Sequence, residues 1–103
     1  MKIGCCVKDA NEAKVAQAAG FDFVECAVLS LCPEEDEPAF RKVLDSYREC
    51  SIPVEVCNLF LPRDMKVVGD HLDDERIHRY VIRALERVKT IGADTIVFGS
   101  GYA

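Results

Sequence analysis

The stretch Ala19-Gly20-Phe21-Asp22-Phe23-Val24-Glu25 decides the fold class, and Ile91-Gly92-Ala93-Asp94-Thr95-Ile96-Val97-Phe98 repeats its grammar. Each runs from a helix end through a glycine suited to a left-handed cap, then a short turn, an aspartate and a β-like run. Working outward, Lys2 to Val7 reads as a first strand, and Asp9 or Asn11 caps a helix through Glu12 to Ala19. Asp22 to Val28 is the second strand. The acidic run Glu34 to Glu37 before Pro38 suits a helix N-terminus, and Phe40, Val43, Leu44 and Tyr47 recur at helical spacing. Pro53 ends that helix. Val54 to Leu61 is a third strand, and Pro62 to Leu72 a loop long enough to be functional. Asp73 or Asp74 caps a last helix whose apolar face is Ile77, Tyr80, Ala84, Leu85, Val88 and Ile91. Asp94 to Phe98 is a fourth strand, leading to Gly99-Ser100-Gly101.

Strands alternating with helices make a string of right-handed parallel crossovers, in either a doubly wound sheet or a barrel. Charge within the strands favours the barrel. Glu25 and Glu55 sit in otherwise apolar runs, and a sheet covered on both faces should lack them. By alternation Glu25 shares a face with Phe23 and Ala27, and Glu55 shares one with Cys57. The expected fold is therefore α/β, four parallel strands and three helices of barrel type.

The 103 residues suit a single domain, 1–103. Thirteen Lys and Arg against eighteen Asp and Glu give a net charge of −5, which argues against nucleic acid as the main partner. No apolar run is long enough to cross a bilayer, and charge returns at Lys8, too early for a signal-peptide core, so the chain reads as cytoplasmic. The six cysteines show no CxxC spacing, and Cys5, Cys6, Cys26 and Cys57 lie in apolar runs as small buried hydrophobes. His71 and His78, near Asp70, Asp73 and Asp74, read as surface and capping residues rather than metal ligands. Arg76, Arg79, Arg83 and Arg87 follow one side of the last helix and read as a solvated face, with a favourable Glu75–Arg79 pair.

Taken in order, Lys2-Ile3-Gly4, the Ala19 to Glu25 stretch, Glu55-Val56-Cys57-Asn58-Leu59-Phe60-Leu61-Pro62 and the Ile91 to Gly101 stretch resemble the N-terminal half of the sugar phosphate isomerase/epimerase family, the xylose isomerase-like TIM barrels. The resemblance covers essentially the whole chain and makes the expected fold half of a TIM (β/α)8 barrel. It implies proton transfer alpha to a carbonyl on a sugar or sugar phosphate, assisted by a divalent metal (Mn, Mg or Zn). In the family the metal ligands, a Glu, Asp, His, Glu set, come from second-half strands. This chain is accordingly expected to hold no metal and no catalytic residue, and to be inactive alone. The resemblance implies a substrate wall instead. Cys6 lies where ketose epimerases line the sugar pocket, and Cys57 matches a pocket cysteine of some of them. Glu25 matches an acidic position on strand two, and Gly99, Ser100 and Gly101 match the pocket-facing end of strand four. Apurinic-site endonucleases, a distant branch, place histidine ligands on strands three and four. This chain has Cys57 or Asn58, and Gly99, at those places.

A half barrel leaves two strand edges open, so a homodimer completing the barrel is expected, strand four of one copy meeting strand one of the other. Two other readings stand beside the isomerase/epimerase: a non-catalytic small-molecule-binding half barrel, and a cysteine-based metal or redox protein.

Overall fold

Gly20 and Gly92 both take the left-handed conformation, with φ of 92° and 99°. Past each, the chain bonds back into the helix it has left: Phe21 N–H to Ala16 O at 3.1 Å, and Ala93 N–H to Val88 O at 3.2 Å. The aspartate of each turn then donates its N–H to the preceding strand, Asp22 to Ile3 O at 2.8 Å and Asp94 to Glu55 O at 3.1 Å. The two stretches with the same grammar thus make the same turn.

The structure, a computed structural model, describes residues 1–65 and 73–98. The elements are β1 (Gly4–Cys6), α1 (Ala10–Ala18), β2 (Phe23–Ala27), a 3-10 turn (Val28–Leu31), α2 (Glu37–Arg48), β3 (Val54–Asn58), α3 (Asp74–Ile91) and β4 (Thr95–Ile96). Asp9 caps α1 by accepting from Glu12 N–H at 2.9 Å, and Asp73 caps α3 by accepting from Arg76 N–H at 3.0 Å. β3 ends three residues earlier than its apolar run, because Leu59 adopts φ 49° and turns the chain out of the ladder. The 3-10 turn was not legible in the apolar Val28–Leu31 run.

All pairings are parallel and the strand order is β1-β2-β3-β4. Strands in chain order joined by right-handed crossovers put every helix on the same face of the sheet. Burial agrees. Val24 and Cys26 are fully buried while Phe23, Glu25 and Ala27 between them are half-buried. The sheet therefore has a covered face and a bare one, as in part of a barrel rather than a doubly wound sheet.

The register contains one irregularity with consequences. Val24 pairs with Val54 but Glu25 pairs with Val56, so β3 carries an extra residue, Glu55. The extra residue breaks the strict alternation that groups Glu55 with Cys57. Val54 and Cys57 both go to the covered face, and Asn58 reaches the bare one. The Glu55 side chain pairs with Lys2 Nζ at 2.9 Å.

Two members of the arginine row of α3, Arg76 and Arg87, also depart from a solvated face. Arg87 is only 3% exposed. Its guanidinium donates to Leu31 O at 2.9 Å, Glu35 O at 2.8 Å and Cys32 O, and lies 5.0 Å above the Phe40 ring. Arg83 adds a bond to Glu35 O at 3.2 Å, and Arg76 grips Glu34 and Asp64. Burial lowers the Arg87 pKa from the usual arginine value, and the Arg76 guanidinium lowers that of Asp64. Arg79 and Arg83 are exposed as expected, and Arg79 pairs with Glu75 at 3.8 Å. Leu85, assigned to the apolar face, is 48% exposed. Among the described residues no helix is long and apolar enough to cross a membrane.

Arg87→Ala removes the guanidinium that bonds three loop carbonyls, of which Glu35 O keeps Arg83 and Cys32 O keeps the Glu35 N–H. It should destabilise the chain by about 3 kcal/mol in urea unfolding, whereas Arg79→Ala should change stability by less than about 0.5 kcal/mol.

Candidate functional site

Three strands end side by side on the bare face. β1 ends at Cys6, which pairs in register with Glu25 of β2, and β3 ends at Asn58. Their side chains meet at one carboxylate oxygen. The Cys6 thiol donates to Glu25 Oε2 at 3.4 Å, and Asn58 Nδ2 donates to the same oxygen in a short hydrogen bond. Among the described residues Glu25 Oε1 accepts nothing, which leaves it for an incoming hydroxyl. Cys6 is exposed, and Glu25 and Asn58 are half-buried, so the group is open to a ligand.

The half-buried Phe23 stands two residues before Glu25 on the same face of β2. The Phe23 ring lies over Gly4, where an added Cβ would overlap it. Glycine there lets the ring lie against the β1 backbone. Further toward the strand starts, the Lys2–Glu55 pair spans β2.

The Cys6 thiol is pushed above the ordinary thiol range, first by desolvation and then by its bond to Glu25 and that carboxylate's charge. Cys6 is therefore a neutral donor at physiological pH, not a thiolate nucleophile. The group can bind and orient hydroxyls, with one carboxylate acceptor and two neutral donors.

Of the residues singled out in the sequence, Cys6 and Glu25 come together. Cys57 does not join them. It is fully buried on the helix-covered face, 3.7 Å from Cys26 by sulfur–sulfur distance, because the extra residue Glu55 turns it away. Gly99, Ser100 and Gly101 lie outside the described residues, as do Asp70 and His71. His78 is exposed on α3. Asn58 is the member that pattern reading missed. Nothing in the strand sequence marks it, because its direction depends on the register against β2. Among the described residues no three His, Cys, Asp or Glu side chains converge to hold a metal. All six cysteines are free, Cys6 exposed and only Cys26 and Cys57 buried.

No family model and no curated protein matches this sequence. A similar solved structure is the crystal structure of D-psicose 3-epimerase in the presence of D-fructose, with a TM-score of 0.69 at 16% sequence identity. The match covers 95% of this chain and 37% of that one, so the chain spans little more than a third of the enzyme's length. That likeness shows the fold, four parallel strands and three helices arranged as part of a TIM barrel.

The raised Cys6 pKa has a direct readout. At a fixed pH near neutrality a raised pKa means less thiolate, so iodoacetamide should label Cys6 slowly despite its exposure. Glu25→Gln removes the carboxylate and should move the midpoint of the labelling rate against pH downward. A midpoint unchanged by the substitution would contradict the Cys6–Glu25 contact.

Proposed function

We propose that this chain forms one wall of a pocket for a sugar or sugar phosphate, in the manner of isomerases and epimerases that move a proton alpha to a carbonyl. The observation that carries the reading is the Glu25 carboxylate, fixed by Cys6 and Asn58 at the ends of adjacent parallel strands on the bare face. In barrels of this kind function gathers at the C-terminal strand ends. The likeness in fold to D-psicose 3-epimerase supports the choice of substrate class.

The wall acts through ordinary hydrogen bonding. Glu25 Oε1 accepts a substrate hydroxyl, while Asn58 and the protonated Cys6 orient the carboxylate. Gly99, Ser100 and Gly101 belong to the proposed pocket on the family resemblance alone. A divalent metal (Mn, Mg or Zn) enters the proposal by the same route. The described residues do not fit such a centre, since no three ligand side chains converge. The part assigned to these residues is to bind and orient, not to carry the proton-transfer step. The proposed partner is a second copy closing the barrel. Among the described residues β1 pairs only with β2 and β4 only with β3, so each keeps an open backbone edge.

The test is an NMR titration of the isotope-labelled chain with D-fructose, D-psicose and their phosphates. The Cys6, Glu25 and Asn58 amides should shift on saturation, and Glu25→Ala should weaken binding roughly tenfold, as expected for losing a charged hydrogen-bond acceptor. No shift at these amides with any of the ligands would overturn the reading. Turnover by the isolated chain with added manganese would overturn its assignment as a binding wall.

A further inference from the structure

Beneath the bare face, on the opposite side of the same two strands, sits a pair of thiols that the proposed pocket does not use. Cys26 and Cys57 are direct partners in the β2–β3 register and both are 0% exposed. Their sulfurs are 3.7 Å apart. Neighbouring strands stand roughly 4.8 Å apart, within the range of about 4.4–6.8 Å between Cα atoms that a disulfide spans.

Two more features converge on the pair. A cavity of about 350 Å³ opens between α1 and α2, lined among others by Lys8, Asp9, Ser30, Val43 and Tyr47. Ser30 is a neighbour of the Cys26 sulfur, and the Tyr47 hydroxyl lies close enough to both sulfurs to feel their charge. That hydroxyl is buried and has no hydrogen-bond partner among the described residues. A buried hydroxyl without a partner is costly, and at this place it can bond a small polar guest.

We propose that Cys26 and Cys57 form a redox-active dithiol, which a small peroxide entering through the α1–α2 cavity converts to a disulfide. The two sulfurs are not equivalent. The bond from Cys57 holds the Cys26 thiol below its ordinary range, and the same bond with burial drives the Cys57 thiol far up. Cys26, whose sulfur neighbours the cavity-lining Ser30, is assigned as the attacking sulfur. Its thiolate attacks one oxygen of hydrogen peroxide, the O–O bond breaks, and the second oxygen leaves as hydroxide and takes a proton to become water. Cys26 is now a sulfenic acid. The Cys57 sulfur attacks the Cys26 sulfur, and the remaining oxygen departs as water with the Cys57 proton. In sum two thiols lose two electrons and two protons, and one peroxide becomes two waters. The Tyr47 hydroxyl donates to the peroxide oxygen that leaves.

The experiment treats the folded chain with a few-fold excess of hydrogen peroxide, quenches with an alkylating reagent and maps the peptides by mass. A linked Cys26–Cys57 peptide, lighter by two hydrogens and released by dithiothreitol, is expected. It should form several-fold more slowly in Tyr47→Phe and be absent in Cys26→Ser. Recovery of Cys26 and Cys57 as free thiols after the exposed Cys6 has been oxidised would overturn the proposal. So would a linked peptide that forms only in denaturant. An unchanged rate in Tyr47→Phe would overturn the route through the cavity. The wild-type mapping decides the question even where Cys26→Ser does not fold, and its outcome is independent of sugar binding.

Discussion

A parallel sheet whose strands follow one another in chain order, joined by right-handed crossovers, must carry all its helices on one side. The rest of this structure follows from that constraint. The covered face takes Val24, Cys26, Val54 and Cys57, all buried under α1, α2 and α3. The other face has no helix to exclude water, so it tolerates Glu25, Glu55, Asn58 and Lys2. The charges in the middle of otherwise apolar strands are the sequence trace of this arrangement. On β2 they identify the bare face correctly, because β2 runs without interruption and strict alternation applies.

On β3 the same logic fails by one residue, and the reason is physical. A bulge is a property of a pair of strands, not of one. Glu55 is extra only because Val54 and Val56 oppose consecutive residues of β2. Read alone, the run Val54-Glu55-Val56-Cys57-Asn58 puts Cys57 with Glu55 and hides Asn58. Paired with β2, it sends Cys57 under the helices and brings Asn58 to Glu25. The turns were easier to read. Gly20 and Gly92 announce left-handed caps locally, and the following aspartates enter their strands in the same way.

Arg87 shows a second kind of information that local pattern lacks. An arginine four residues beyond Arg83 on an amphipathic helix ordinarily belongs to water. Here the demand comes from a segment more than fifty residues away. The chain after the 3-10 turn passes through Cys32 at φ 55°, and the carbonyls of Leu31, Cys32 and Glu35 need donors. A planar guanidinium with several N–H groups meets them together, and its face rests on Phe40. The helix rotates its arginine inward and leaves Leu85 exposed, the reverse of what hydropathy alone favours.

The two faces of the sheet are joined at one rung. Glu25 and Cys26 are consecutive on β2, and Cys57 and Asn58 are consecutive on β3, so the dithiol and the carboxylate group sit back to back. The Cys26–Cys57 rung lies between the two residues that bond across the bare face. A bond between the sulfurs shortens their separation from 3.7 Å to about 2 Å. The strands already stand within the range that a disulfide spans, so such a bond would pin the strand spacing at this rung. The Glu25–Asn58 hydrogen bond depends on that same spacing. Chemistry on the covered face thus bears on the geometry of the bare face through the backbone of two adjacent residues on each strand.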